Sequence, residues 1–239
     1  MKLSAPIFIL KHRAKALSRS EGIPLHAALD RIANDEGFAA WSLLAAKAAN
    51  DEPTGRSFAQ LVRGELVLIA ARPGQGKTLL ALDWAIRSMQ RGDSAAFFTL
   101  DLTAENVAER LASIGFQSDR YADRLLVDTS DRICADYVVE RLAAAAPGTF
   151  VVIDYLQMLD QKRTNAELMS QVRTLATFAR ERQLIVACIS QVDRKFDGAQ
   201  RAWPMADDVR LPNPLDLRLF DRMCFLNRGE IRLVARTRA

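Results

Sequence analysis

The chain has 239 residues, of which 49% are hydrophobic and 26% charged, a balance that is ordinary for a globular protein and excludes a wholly disordered chain. The length allows one substantial α/β core with a small appendage, while a net charge of +4 is too small to indicate a polyanionic partner by itself. The three cysteines lack a CxxC spacing and the apolar runs are short, so we expect a cytoplasmic protein without disulfides, structural zinc or a membrane partner.

Residues 1–50 predict a small helical unit. Breaks at Glu21-Gly22 and Glu36-Gly37 divide it into three short helices. A basic stretch near its start fits either a solvated helix face or a contact with nucleic acid, and the helices are also a candidate docking site for a protein partner. That stretch comprises Lys11, Arg13, Lys15 and Arg19. The polar residues 51–56 predict a linker into a main domain at residues 57–239.

The stretch GELVLIAARPGQGKTLLALDW, which occupies residues 64–84, is the strongest motif in the chain. It predicts a buried strand, a turn and a helix in immediate succession. Glycines in the turn allow several backbone N–H groups to converge on an anion at the N-terminus of the helix. Lys77 would reach the β- and γ-phosphates of ATP, and the Thr78 hydroxyl would ligate Mg²⁺. The predicted nucleotide-binding residues are Arg72, Pro73, Gly74, Gln75, Gly76, Lys77, Thr78 and Leu79.

Two acids follow later apolar strands. Asp101 stands just past the predicted strand at residues 95–100, where open parallel sheets gather their ligand-handling groups. Asp154 ends the apolar run at residues 150–153, so a buried strand would deliver its carboxylate beside the phosphates. A turn cap is the structural alternative for Asp154, but the upstream phosphate loop favours a role in holding the Mg²⁺ shell through water.

A further strand, at residues 184–189, ends in Ser190-Gln191. Gln191 is placed to sense the γ-phosphate or to pass its loss on to a mobile loop, with a hydrogen-bonded loop amide as the alternative. The loop at residues 193–214 interleaves cations with Phe196 and Trp203, which suits a single strand whose bases stack, although a surface loop with a few arginines is common. The predicted nucleic-acid contacts are Arg194, Lys195, Arg201, Trp203 and Arg210.

Helical patterns separate these strands at residues 79–89, 104–114, 135–145 and 167–182, and a β-hairpin is predicted around Asn227-Arg228-Gly229. Alternating strands and helices predict an α/β P-loop NTPase with a mostly parallel central sheet, beside the small N-terminal helical unit.

Six segments, in the same order, resemble the ATPase domain of DnaB-type replicative helicases, a RecA-like family, over most of residues 55–239. They read AARPGQGKT, FFTLDL, VVIDYLQM, KRTNAELMSQVRTLATFARE, IVACISQVDR and LVARTR. The resemblance implies a RecA-like ATPase that uses ATP and Mg²⁺ and acts on single-stranded DNA as a homo-oligomeric ring such as a hexamer.

The resemblance also implies catalytic roles beside that of Lys77. Asp101 would activate the attacking water, Gln191 would relay the nucleotide state to DNA loops, and Arg236 and Arg238 would reach into the neighbouring subunit's site, Arg238 acting in trans. The sequence departs from the family in three respects. Asp101 stands where the family usually has the longer Glu, the N-terminal collar domain is absent, and the chain stops just after Arg238 without a further strand.

Two functions from different classes fit this pattern. The first is an ATP-dependent DNA helicase motor of the DnaB type. The alternative is an ATP-binding switch or accessory module that hydrolyses slowly and regulates a partner, for which Asp101 and the missing collar are the motivation. A recombinase-like or clock-type relative of the same fold would instead assemble with nucleotide and not unwind DNA.

Overall fold

The computed structural model describes residues 7–51, 53–114, 122–160, 162, 165–199, 201–211 and 213–236. The chain divides into two units, Met1–Ala59 and Gln60–Ala239. No helix in the described part of the chain is long and apolar enough to cross a membrane.

The first unit is helical. It contains α1 (Ile7–Glu21), α2 (Leu25–Asp35), α3 (Trp41–Asp51) and α4 (Pro53–Phe58). Leu10, Ala33 and Leu44 form its buried core, and the carboxylate of Asp30 accepts a hydrogen bond from the backbone N–H of Trp41 at 2.8 Å. The three expected helices are present. The stretch interpreted as a linker, residues 51–56, is instead largely helical, because Pro53 occupies the first position of α4, where its fixed backbone angle favours a helix.

The second unit is built on a seven-stranded sheet with the order β3-β2-β4-β5-β1-β6-β7. Its strands are β1 (Leu66–Ala71), β2 (Ala95–Thr99), β3 (Leu125–Asp128), β4 (Phe150–Asp154), β5 (Ile185–Gln191), β6 (Arg222–Asn227) and β7 (Glu230–Ala235). All neighbouring strands are parallel except β6 and β7, which form the predicted hairpin. The expected RecA-like α/β fold with a mostly parallel sheet is therefore confirmed.

The helices of this unit follow the predicted pattern. They are α5 (Lys77–Gln90), α6 (Ala104–Ser113), α7 (Ala135–Arg141) and α8 (Leu168–Arg182). Helix α7 ends four residues earlier than the sequence predicts. After Arg141 the backbone hydrogen bonds change to the three-residue spacing of a 3₁₀ turn. The N–H of Ala143 donates to the carbonyl of Glu140, and that of Ala145 donates to the carbonyl of Leu142.

The order of the strands determines where a ligand can bind. From β1 the chain passes through α5 to β2, and β5 and β4 lie between these two strands. All six residues of β1 are buried, as are the five of β4, because parallel strands are covered on both faces. The carboxyl ends of β1, β2, β4 and β5 therefore gather at one edge of the sheet, which is where open α/β sheets bind ligands. We call it the carboxyl edge.

A folded segment, residues 192–211, covers part of the carboxyl edge. It contains short 3₁₀ turns at Arg194–Gly198 and Ala206–Asp208, and its two ends pair with each other. The backbone N–H of Asp193 donates to the backbone carbonyl of Asp208 at 2.7 Å, and that of Arg210 donates to the backbone carbonyl of Gln191 at 2.7 Å. We call residues 192–211 the edge segment.

Gly148 lies at the edge of the sheet opposite the carboxyl edge, where the packing leaves no room for a side chain. Its φ is +91°, and a Cβ there would lie 2.7 and 2.8 Å from the guanidinium nitrogens of Arg63, overlapping the ion pair of Arg63 with Asp93. We expect Gly148→Ala to lower the free energy of unfolding by about 1–2 kcal/mol, the cost of a left-handed backbone at a residue with a side chain. Gly198→Ala is the matched control, because Gly198 has an ordinary φ and open space around it. Equal urea unfolding midpoints for the two variants would contradict the prediction.

Candidate functional site

The turn between β1 and α5 is shaped to receive an anion. Gly74 and Gly76 have φ values of +77° and +87°, and a Cβ built on either would meet nothing within 4 Å. Gly76 is the residue that precedes α5, and no side chain caps that end of the helix. The first turn of a helix leaves backbone N–H groups without intrahelical partners, and the helix end carries a partial positive charge, so both favour an anion here.

Thr78 and Asp154 meet at this turn. The hydroxyl of Thr78 donates a hydrogen bond to Oδ2 of Asp154 at 2.8 Å, although the two residues belong to α5 and β4. Asp154 is 6% exposed. Burial raises the pKa of its carboxyl, the bond from Thr78 opposes that rise, and the charge of Asp101 adds to it. A hydroxyl beside a desolvated carboxylate forms an oxygen-rich pair that suits a hard cation such as Mg²⁺.

Lys77 completes this group. Its ammonium donates to the backbone carbonyl of Arg72 at 3.4 Å, a long bond that a phosphate oxygen could replace. Burial lowers the pKa of Lys77, while the charge of Asp154 opposes that change and the charge of Arg72 adds to it. The structure thus places a cation, a hydroxyl and a carboxylate around the open turn, and this set fits a magnesium triphosphate.

Asp101 and Gln191 lie next to this group and share one cavity. The cavity has a volume of about 240 Å³ and is lined by Asp101, Tyr155, Gln157, Gln191 and Arg210. Asp101 is exposed, and its backbone N–H donates to the hydroxyl of Thr99 at 3.2 Å. Because a water molecule occupies about 30 Å³ of liquid volume, the cavity is large enough for several waters beside the Asp101 carboxylate.

Two residues of this region were missed by the sequence predictions. Gln157 donates its amide N–H groups to Ser190 Oγ at 2.9 Å and to the carbonyl of Arg210 at 2.7 Å, so it connects the turn after β4 to β5 and to the edge segment. Arg110, on α6, lies close enough to Asp154 for its charge to lower the pKa of that carboxyl. Gln157 belongs to the quoted VVIDYLQM segment and could have been singled out there. Nothing in the sequence of α6 distinguishes Arg110.

The β6–β7 hairpin touches both the phosphate-binding turn and the edge segment. The backbone N–H of Arg228 donates to Gln75 Oε1 at 2.8 Å, and the Asn227 amide donates to the carbonyl of Ala202 at 2.8 Å. Gln75, a predicted nucleotide contact, therefore also holds the tip of the hairpin. Of the other predicted contacts, Pro73 and Leu79 are exposed at the turn.

The predicted nucleic-acid contacts differ in their surroundings. Arg194, Lys195 and Arg210 are exposed. Arg201 is exposed too, and its guanidinium pairs with the buried Asp208 at 2.8 Å. By contrast, Trp203 is half-buried against the main core. The expectation that Phe196 stacks on bases is wrong, because its ring is buried in that core. In an interleaved pattern of cations and aromatics, the aromatic residues thus anchor the segment and the cations remain outside.

Arg236 does not join the site of its own chain. Since β7 runs antiparallel to β6 and its Ala235 pairs with Arg222, Arg236 lies at the opposite edge of the sheet from Lys77. There its backbone N–H donates to Asp221 at 3.0 Å, and its side chain contacts the carbonyl of Arg218. Arg238 lies outside the described residues.

Comparison with known proteins shows which proteins the chain resembles. The sequence model of a family described as the ATPase KaiC matches residues 51–202. A probable plasmid replicative DNA helicase of Chlamydia muridarum is 29% identical over 201 residues, which cover 71% of this chain and 44% of that protein. The replicative DNA helicase DnaB of Helicobacter pylori is 25% identical over 201 residues, covering 71% of this chain and 41% of that protein.

Solved structures agree on the fold. A DnaB-like replicative helicase superimposes with a TM-score of 0.59 and 21% sequence identity, covering 93% of this chain and 65% of that one. A KaiC-like protein of Pyrococcus horikoshii superimposes with a TM-score of 0.52 and 16% identity, covering 72% of this chain and 76% of that one. The chain spans less than half the length of the two helicases whose sequences it matches.

Removing the buried charge of Asp154 should stabilise the protein in the absence of nucleotide. Burial raises the pKa of Asp154 in the folded state, so the ionised carboxylate costs stability at neutral pH. Asp154→Asn keeps an oxygen for the Thr78 hydroxyl and removes the charge. We expect its melting temperature at neutral pH to be higher by about 2–4 °C, which corresponds to roughly 1 kcal/mol in a domain of this size.

The stabilisation by Asp154→Asn should depend on pH. The cost of the buried charge is fully present above the raised pKa of folded Asp154 and disappears below the ordinary pKa of the unfolded residue. The advantage of Asp154→Asn should therefore shrink as the pH falls through that interval. Asp101→Asn, at an exposed acid, is the control. A melting temperature below that of the wild-type chain at neutral pH would contradict the prediction.

Proposed function

The chain belongs to the KaiC family of ATPases, and from this premise we propose that it is a Mg²⁺-dependent, ATP-hydrolysing motor of the replicative-helicase type. It acts on single-stranded DNA as a homo-oligomeric ring. The observation that carries the proposal is the hydrogen bond of 2.8 Å between Thr78 and Asp154, beside Lys77 and the open glycine turn. The similarity to replicative DNA helicases supports the choice of substrate.

Nucleotide binding would use the open turn. Residues 72–79 would surround the triphosphate, with the N–H groups of the first turn of α5 on its oxygens. Lys77 would exchange its long bond to Arg72 for the β- and γ-phosphates. Thr78 and Asp154 would hold Mg²⁺, which neutralises the charge that develops on the phosphate oxygens during transfer. With that cation bound, the buried carboxylate of Asp154 would have a favourable partner.

Hydrolysis would be assisted from the cavity beside this group. Asp101 is the proposed general base, which must lie within hydrogen-bond reach of its water, and the shared cavity with Gln191 supports this pairing of roles. Gln191 ends β5, and its side chain lies 3.5 Å from the guanidinium of Arg210. A change at the γ-phosphate would thus pass directly from Gln191 to the edge segment.

Single-stranded DNA would contact the exposed cations of the edge segment, which are Arg194, Lys195, Arg201 and Arg210. A ring would bring the terminal strand of one subunit to the carboxyl edge of the next. The position of Arg236, at the opposite edge from its own Lys77, supports a role in a neighbouring site and not in its own. Arg238 would act in trans in the same way.

An ATP-binding switch is the second candidate function. Asp101 is shorter than the glutamate that the helicase family usually carries at this position, so its carboxylate reaches less far into the cavity. Hydrolysis would therefore be slow, and the bound nucleotide would regulate a protein partner of the N-terminal helices.

Substitution of Asp101 separates binding from hydrolysis. We expect Asp101→Asn to lower kcat by about 10²-fold or more, the usual contribution of a general base, and to leave the affinity for ATP within about threefold, since Asp101 is outside the phosphate-binding turn. Asp101→Glu, which restores the longer side chain, should raise kcat above that of the wild-type chain. Single-turnover rates and equilibrium binding of ATP measure the two effects. Unchanged kcat in Asp101→Asn would remove Asp101 from the mechanism.

The concentration dependence of ATP hydrolysis tests the ring. An arginine supplied in trans contributes a large rate factor in related phosphoryl-transfer sites, so the rate per chain should rise with protein concentration and rise further with single-stranded DNA. Lys77→Ala is the inactive control. A rate per chain that is independent of concentration would contradict the ring, and slow turnover without stimulation by DNA would favour the switch.

A further inference from the structure

The phosphate-binding turn and the edge segment are joined by one ion pair. The guanidinium of Arg72 donates to Asp197 through Nε, at 2.9 and 3.1 Å from the two carboxylate oxygens, and through Nη2 at 2.8 Å. Its third nitrogen, Nη1, donates to the carbonyl of Val192 at 3.1 Å. Bidentate arginine–carboxylate pairs fix direction as well as distance. The 3₁₀ turn that carries Asp197 is therefore held in a defined position relative to the phosphate-binding turn.

Arg72 faces both functional regions at once. Its side chain holds the edge segment, while its backbone carbonyl accepts the bond of 3.4 Å from Lys77. When the ammonium of Lys77 binds a triphosphate in place of the Arg72 carbonyl, Arg72 loses this hydrogen bond. The bound phosphates then order the turn to which Arg72 belongs. The side chain of Arg72 is 22% exposed, and that of Asp197 is 57% exposed. Asp197 can therefore be substituted without opening the core.

The turn that Arg72 holds is also the one that presents cations. Arg194 and Lys195 are exposed residues of the same 3₁₀ turn as Asp197, and the side chain of Asp193 caps that turn by accepting the backbone N–H of Lys195 at 2.9 Å. A cavity of about 410 Å³ lies beside it, and Arg72, Arg194 and Arg210 are among its lining residues. Fixing the turn thus fixes the basic wall of this cavity.

We infer that Asp197 is a positioning residue, which transmits the ordering of the phosphate-binding turn, through Arg72, to the turn that carries Arg194 and Lys195. Nucleotide binding then strengthens the binding of a single-stranded polyanion. This inference rests on the proposed function. The connection is separate from that of Gln191, which meets the edge segment at Arg210, on the segment's other end.

A linkage measurement on the full chain tests the inference. The affinity for a fluorescent single-stranded oligonucleotide is measured with and without a non-hydrolysable ATP analogue and Mg²⁺, and the ratio is the coupling factor. We expect a factor of about five or more in the wild-type chain, the usual lower range for coupled sites. In Asp197→Asn it should fall to within about twofold of one.

Two further variants separate geometry from charge. Asp207→Asn removes one exposed negative charge from the same segment and should keep the wild-type factor, while Asp197→Glu retains the carboxylate and should keep most of it. A structural role alone would alter melting temperature and both affinities without changing their ratio. The inference is overturned if Asp197→Asn keeps the wild-type coupling factor.

Hydrogen exchange provides a readout that needs no oligonucleotide. Binding of the ATP analogue should slow amide exchange in residues 194–198 of the wild-type chain and leave it unchanged in Asp197→Asn. Equal slowing in both would overturn the inference and leave the proposed function standing. A wild-type chain that binds both the ATP analogue and the oligonucleotide with a coupling factor of one would also overturn the inference and leave the proposed function standing. A wild-type chain that binds neither ligand would overturn the proposed function together with the inference.

Discussion

One contact joins separate elements of the second unit at the candidate site, the hydrogen bond between Thr78 and Asp154. Thr78 belongs to the helix after β1, and Asp154 ends β4, so the contact spans the end of β5, which lies between these strands. It forms only if β4 and β1 both pair with β5 in the observed register, in which Asp154 stands opposite Ile189 and Ala71 opposite Gln191. A shift of one residue in the β4–β5 pairing would turn the aspartate to the other face of the sheet, and a shift in the β1–β5 pairing would displace the strand that leads into the helix of Thr78.

Burial makes the two charged groups of the site costly without a ligand. Burial acts on both charged members of the group: it raises the pKa of Asp154 and lowers that of Lys77. Each ionised group is thus less favourable in the folded protein than in water, and their mutual attraction offsets only part of that cost. A triphosphate with its cation would give both groups a partner of opposite charge. The burial that makes the two charged groups unfavourable without a ligand therefore also favours binding of the ligand.

The sequence predicts the parts of the structure that local patterns determine. Apolar runs locate β1, β2, β4 and β5, and glycine spacing locates the phosphate-binding turn, because periodicity and turn chemistry are properties of neighbouring residues. Pairing between distant residues leaves no such signal. Arg72 and Asp197 are 125 positions apart, and nothing in the sequence around Asp197 marks it as a partner. Phe196 illustrates the same limit, since an aromatic residue between cations gives no indication of whether its ring packs inward. The helix α4 (Pro53–Phe58) was missed because the proline and glycine of residues 51–56 were interpreted as breaks.

The proposed function requires that Lys77, Thr78 and Asp154 bind a single metal–triphosphate at the carboxyl edge. A crystal structure with a non-hydrolysable ATP analogue and Mn²⁺ tests this most directly, because the anomalous signal of manganese locates the cation independently of the protein. We expect a manganese peak at about 2.1 Å from Thr78 Oγ1, close to the distance for octahedral Mg²⁺, with Asp154 beside it and Lys77 on the β- and γ-phosphates. A manganese peak or a triphosphate located elsewhere, with Thr78 still bonded to Asp154, would contradict the proposed function.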